Sequence, residues 1–364
     1  MAQRETRRAA AAGRTAGRPA RIARFSAGLA VILAAGAVVV SIVAEVAVVP
    51  TTGAGAAVRD GPWYVAVGAS ESVGYQPVPG RHYGRPTDHG YANDLVAMEQ
   101  RRWPGLRLAE YGCPGITAQG ALDGTGRCHY PAGSEVGTAV DFLRAHRAGT
   151  VLVTVDLGFN DVWPCLAHRS VDQTCVGAAL GRVAKALPEV LADIWSAGGP
   201  DLRIVGLEHN DPYLADHLSG PAGAAFSTAA ASVLDRLNAE LSSIYERAGA
   251  LVADVPATYG TARTTPVELP GHGAVPYGVA RICTLTWMCD AHNLHPDTAG
   301  YQVIADAVAM ALGTGTVGAR RRRRRFDAAY MLHTSSDPHD VSSSAALAVH
   351  GATRSIVWAS SARC

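Results

Sequence analysis

Four short stretches of this 364-residue chain carry side chains able to do chemistry. Gly68-Ala69-Ser70 offers a hydroxyl. Tyr111-Gly112-Cys113-Pro114-Gly115 offers a glycine that other groups can approach closely. Asp156-Leu157-Gly158-Phe159-Asn160-Asp161 offers an amide and two carboxylates, and Asp290-Ala291-His292-Asn293-Leu294-His295-Pro296 two imidazoles. Each has a plainer reading when taken singly. A serine in a turn is usually a turn residue, Gly112 can serve the backbone alone, Asn160-Asp161 can cap a helix, and a lone His-Pro is more often structural. Together they supply what acyl transfer needs: a hydroxyl nucleophile, a base for its proton, and donors for a developing oxyanion. His295 fits the base because imidazole titrates near working pH.

The elements that must position these residues follow from hydrophobic periodicity. Trp63–Val67, Leu106–Tyr111, Thr150–Val155, Leu202–Leu207 and Ala250–Val255 read as strands. Tyr91–Arg102, Ser134–Arg147, Val176–Ala197, Ser227–Ala248 and Thr298–Leu312 read as helices, the third bent at Pro188. Continuous apolar strands alternating with helices predict a parallel sheet covered on both faces. In such sheets ligands bind at the carboxyl ends of the strands. Three of the four stretches lie there, and the fourth leads into the last helix.

Composition sets the surroundings. The chain is 48% hydrophobic and 17% charged with a net charge of +1, so no whole-chain field points to nucleic acid. Segment 1–25 is basic, with seven arginines before Ser26. Segment 26–49 is apolar and about long enough to span a bilayer. Its arginine-rich flank predicts a signal anchor with the remainder outside the cytoplasm, or a cleaved signal peptide, Ala54-Gly55-Ala56 having the form of a cleavage site. Segment 50–61 is a Gly/Ala/Thr linker, 62–312 the folded body, and 313–364 a tail without sustained period that contains the six-arginine run Arg320–Arg325. That run reads as part of a disordered tail or as a contact for anionic lipid or polymer. The glycines at 313, 315 and 318 have dinucleotide-loop spacing but follow no strand.

Six cysteines fall into local pairs, Cys113 with Cys128, Cys165 with Cys175 and Cys283 with Cys289, leaving Cys364. This pairing is one of many that six cysteines allow, with free buried thiols as the alternative. Disulfides would fit an oxidising compartment. No C-x-x-C occurs, and Asp290, His292 and His295 lie in a loop, so neither feature makes a metal site.

The blocks GASESVGYQP (68–77), EYGCPG (110–115), GFND (158–161) and LHPDTAGY (294–301) resemble those of the SGNH, or GDSL-type, hydrolases over residues 62–312. With ICTLTWMC at 282–289, the likeness is to secreted actinobacterial esterases and lipases of that family. The resemblance implies a three-layer α/β/α sandwich of flavodoxin-like type and hydrolysis of esters. Aromatic content of 6% offers no sugar-stacking platform, so a lipid or small acyl ester is the expected substrate, with a monomer and no cofactor or metal also expected. The resemblance makes Ser70 the nucleophile and His295 the base, with the Ser70 and Gly112 N–H groups and the Asn160 side chain as oxyanion donors. Ser72 is a decoy in the turn that follows, and Glu71 and Asp161 read as solvated or capping.

Two positions depart from the family pattern. Ala69 stands where an aspartate is usual, which predicts altered support for the turn. His292 stands where the acid of D-x-x-H would be, leaving Asp290, five residues before His295, or a backbone carbonyl to orient the imidazole. These departures keep two alternatives open: a surface binding module on the same fold, or an O-acetylesterase acting on a cell-surface glycan.

Overall fold

The computed structural model describes residues 61–81 and 83–313. The basic and apolar segments 1–49, the linker up to residue 60, the Arg320–Arg325 run and Cys364 lie outside the described residues. Among those described, no helix is long and apolar enough to cross a membrane.

The chain begins with β1 (Trp63–Gly68), the two-residue strands β2 (Gln76–Pro77) and β3 (Gly84–Arg85), and α1 (Tyr91–Glu99). Next come β4 (Arg107–Glu110), α2 (Ala118–Asp123), α3 (Glu135–Ala145), β5 (Thr150–Asp156) and α4 (Phe159–Val162). The long α5 (Gln173–Ala197) leads to β6 (Arg203–Leu207), α6 (Gly220–Arg247), β7 (Leu251–Ala253) and α7 (Val255–Tyr259). The hairpin β8 (Pro266–Leu269) and β9 (Gly273–Pro276) precedes α8 (Tyr277–Leu285), α9 (Met288–Ala291) and α10 (Thr298–Ala311).

Five strands form one parallel sheet in the order β4-β1-β5-β6-β7. Counted within the sheet, that is the 2-1-3-4-5 order of flavodoxin-like folds, whose crevice opens where the order reverses, between β1 and β5. Successive side chains of a strand face opposite sides. Val65, Val67, Val153 and Val155 therefore enter a core with α2, α3, α5 and α6. Tyr64, Ala66 and Leu152 enter a second core with α1, α7, α8 and α10. The result is the expected three-layer α/β/α sandwich.

Element ends show where local rules were misread. The helix expected from Ser227 starts at Gly220, because Pro221 sits in its first turn, where a missing N–H costs nothing. Helix α5 begins at Gln173, ahead of the expected Val176, and contains Pro188. The β8–β9 hairpin, outside the strand–helix alternation, was not anticipated. The cysteines pair locally, with Cys113–Cys128, Cys165–Cys175 and Cys283–Cys289 all bonded.

Candidate active site

Strand β1 ends against β5, the Ala69 N–H donating to the Asp156 carbonyl at 3.0 Å. The backbone then folds over itself, with N–H groups of Gly74 and Tyr75 donating to the carbonyls of Glu71 (3.2 Å) and Ser70 (3.0 Å). Ser72 is fully buried and donates its hydroxyl to the Ala69 carbonyl at 2.7 Å. It holds the turn, as expected of a decoy, although the segment is a turn and not the start of a helix. Ser70 is partly exposed and lines a cavity of about 460 Å³.

Gly112 lies behind this turn. A Cβ there would stand 1.9 Å from Ser72 Oγ and 2.9 Å from the Ala69 carbonyl, so only glycine lets the two segments meet. The N–H groups of Tyr111 and Cys113 pair with the Ala66 and Gly68 carbonyls, both at 2.9 Å.

Asn160 and Asp161, in the first turn of α4, tie that helix to the loop before α2. Asn160 Nδ2 donates to the Ile116 carbonyl at 3.0 Å, which fixes the amide and leaves its second hydrogen for the cavity it lines. Asp161 Oδ2 accepts from the Ala118 N–H at 2.9 Å, so this residue is a cap.

His295 also lines the cavity, on the loop between α9 and α10. Asn293 Oδ1 accepts from the His295 backbone N–H at 3.0 Å and lies 2.8 Å from its Nδ1. A backbone N–H can only donate, so the atom facing it is the amide oxygen, and Nδ1 must carry the ring proton. The lone pair therefore sits on Nε2. Burial pushes the His295 pKa down to about 4, which keeps the ring neutral. The Tyr75 ring packs against the imidazole at 4.7 Å between centroids.

Asp290 is exposed on α9 and does not line the cavity. The imidazole is oriented by an amide two residues upstream rather than by that carboxylate or a backbone carbonyl. His292, at the usual acid position, is an exposed left-handed residue at the end of α9. Asn293 was missed; its signal was an Asx-type turn, in which an Asn side chain bonds the backbone two residues on.

The Ser70 and His295 loops are joined directly. Trp287 Nε1 donates to Gln76 Oε1 at 2.6 Å, Gln76 Nε2 to the Pro296 carbonyl at 3.3 Å, and the Tyr301 hydroxyl to the Tyr75 carbonyl at 2.8 Å. Asp297 caps α10 by accepting from Gly300 N–H at 2.7 Å, which fixes the chain just after His295.

Three acidic residues that sequence reading left solvated or unassigned gather at the Ser70 turn, Glu135 and Asp156 beneath it and Glu71 within it. Glu135 is buried at the start of α3 and accepts from the Gly68 N–H at 2.6 Å; burial raises its pKa well above the usual range. Asp156 ends β5, and burial raises its pKa while His209 and the backbone N–H groups of Ser72 and Ala69 pull it back. Glu71 borders the cavity, its pKa raised well above normal by burial and then by the Asp156 charge. It is half-buried rather than fully solvated. The support absent at Ala69 is thus matched by carboxylates that approach the turn from α3 and β5.

The GDSL-like lipase/acylhydrolase family model matches residues 66–303, from within β1 into α10. No curated protein matches the chain. Solved structures similar to it include LAE5, an alpha/beta hydrolase from the metagenome of Lake Arreo, Spain, at 18% identity, covering 70% of this chain and 97% of that one with a TM-score of 0.38. The acetylxylan esterase Axe2 of Geobacillus stearothermophilus is 16% identical over 70% of this chain and 94% of its own, TM-score 0.41. A GDSL-like lipase from Parabacteroides merdae is 13% identical over 70% and 96%, TM-score 0.43. With the family model spanning the sheet, the Ser70 turn and the His295 loop, this chain belongs to the GDSL-like lipase/acylhydrolase family.

Proposed function

We propose that the protein is an extracytoplasmic carboxylic ester hydrolase working through an acyl-enzyme on Ser70. The observation that carries this reading is the His295–Asn293 pair, which leaves a neutral imidazole with its free nitrogen on the ring edge away from Asn293, in a cavity also lined by Ser70 and Asn160. Ser70 Oγ adds to the ester carbonyl while His295 Nε2 takes its proton. The resulting oxyanion accepts from the Ser70 and Gly112 N–H groups and the second Asn160 amide hydrogen. Collapse expels the alcohol, which takes the proton from the imidazolium and leaves the acyl group on Ser70. Water then attacks the acyl carbonyl in the same way, releasing the acid and restoring the hydroxyl.

An apolar acyl group suits the cavity, which Tyr75, Phe159 and Leu294 line together with Tyr83 and Trp163, 61% and 48% exposed at its rim. Three disulfides support action outside the cytoplasm. In this reading the protein acts as a monomer, and residues 26–49 either anchor it to the membrane or are cleaved to release it.

The test is hydrolysis of p-nitrophenyl acetate, butyrate and a long-chain ester by the full-length oxidised chain, with Ser70→Ala beside it. The wild type should turn over at least one ester, and the variant should lose at least about a thousandfold. Near wild-type turnover by Ser70→Ala would overturn the mechanism. A folded wild type inactive on every ester would leave the binding module as the better reading.

A further inference from the structure

Glu71, Asp156 and His209 have no part in ester hydrolysis by Ser70 and His295, yet they converge. One ligand atom from each lies within 4.8 Å of the others. Asp156 is 1% exposed and His209 3% exposed, and all three line the cavity that Ser70 enters.

The hydrogen bonding at this cluster leaves acceptors unmatched. The Ser72 N–H lies near enough to the Asp156 carboxylate to favour its charge, yet neither carboxylate oxygen has a partner of hydrogen-bond geometry, and His209 Nδ1 stands 3.6 Å from Asp156 Oδ1. The Ala69 N–H is already committed to the Asp156 main-chain carbonyl. His209 Nε2 lies 3.2 Å from the Leu157 carbonyl, which can only accept, so Nε2 carries the proton of the neutral ring. That tautomer turns the Nδ1 lone pair toward Asp156. Three electron-pair donors then face one another around a point inside the protein. A buried arrangement of this kind is costly unless something positive sits at its centre.

The geometry points to a binding site for a divalent transition cation, Zn²⁺ or Mn²⁺, formed by Glu71, Asp156 and His209. Imidazole with carboxylates suits these ions. A histidine that ligates through one ring nitrogen and donates the other N–H to a backbone carbonyl is the usual outer-shell arrangement of metal-bound histidine. The residue is also held in place: its N–H donates to Asn238 Oδ1 and its carbonyl accepts from Asn238 Nδ2, both at 2.9 Å. Metal–ligand bonds of about 2.0–2.2 Å would draw the three atoms closer together. Three protein ligands leave a position open to the cavity, where the buried Asn210 Nδ2, itself without an acceptor, offers a donor to an oxygen on the ion. A proton on Nδ1 is the competing occupant.

The test is isothermal titration of Zn²⁺ and of Mn²⁺ into the full-length oxidised protein after chelation and dialysis, with thermal unfolding measured with and without each ion. One equivalent should bind with micromolar or tighter affinity and raise the Tm of the wild type. Glu71→Gln, which changes a partly exposed side chain, and Asp156→Asn should each weaken binding by at least about tenfold. Ser70→Ala and His292→Ala should bind as the wild type does, so the result is independent of whether the chain hydrolyses esters. Failure of the folded wild type to bind either ion would overturn the proposal and assign the centre to a proton. Binding that Glu71→Gln leaves intact would overturn it equally.

Discussion

A single oxygen, Asn293 Oδ1, receives both the backbone N–H of His295 at 3.0 Å and its Nδ1 at 2.8 Å. The proposed base is therefore oriented through its own loop by a neutral group. An amide fixes the ring and its tautomer but adds no charge to stabilise the imidazolium formed in the transition state. Asn293→Ala should lower kcat by about ten- to a thousandfold with little change in KM. Asn293→Asp should keep the orientation, add that charge and raise the His295 pKa. Asp290→Ala should stay within about twofold of wild type. Steady-state kinetics on one ester compare the three, and an Asp290→Ala loss as large as that of Asn293→Ala would return the orienting role to the carboxylate.

Burial sets the acid limit of the reaction. His295 must be neutral to accept a proton, and its pKa is pushed down to about 4. The acid limb of kcat/KM should therefore fall near pH 4, against about 6.5 for an unperturbed imidazole. A pH–rate profile measured within the range where the protein stays folded checks this. A limb near 6.5 in the wild type would mean that water reaches the ring more freely than its packing against Tyr75 implies.

Gly112 is predicted to matter through Ser72. Placing a methyl group 1.9 Å from Ser72 Oγ must displace the turn that presents Ser70. A shift of about 1 Å in a reacting group can cost about a hundredfold, the loss expected in kcat/KM for Gly112→Ala. Adding Ser72→Ala removes the clashing oxygen and should restore part of the rate. Absence of any rescue in the double variant would place the damage elsewhere, at the Gly112 N–H itself.

Asp211 links stability to pH. It is buried, accepts from the Tyr213 N–H at 2.9 Å and has its pKa pushed up to about 7, by burial first and then by Asp235 and Asp216. The folded state thus holds a proton that the unfolded chain releases near pH 4. Its stabilising contribution is complete below about pH 4 and is lost as pH rises to about 7. At about 1.4 kcal/mol per pKa unit the effect is at most about 4 kcal/mol. Asp211→Asn keeps an acceptor for Tyr213 and should flatten the decline in denaturant midpoint between pH 4 and 8. An unchanged slope would show that Asp211 ionises freely in the folded protein.

The sheet was legible because parallel strands are buried on both faces and read as unbroken apolar runs, and the strand-end rule then pointed to Ser70, Gly112 and Asn160. His295 was legible only through its partners elsewhere in the chain. Asn293 was hidden because its role depends on the local path of a loop, not on any pattern. Asp156 and Glu135 were hidden because a charged residue in a sequence reads as solvated, and only the packing of α3 and β5 under the turn reveals that they are buried, with Glu71 half-buried beside them. Glycine and proline misled at α6, where Gly220-Pro221 opens a helix.

The bonds from Gln76 to the Pro296 carbonyl and from Tyr301 to Tyr75 join residues 220 and 226 apart in sequence. In the proposed mechanism, nucleophile and base therefore come from opposite ends of the folded body. During synthesis the serine emerges early and stays chemically idle until the last helix has docked. Reactivity of Ser70 toward a serine-directed probe would accordingly serve as a clock for completion of the fold, and a chain cut short before the His295 loop would carry a hydroxyl with no imidazole to take its proton.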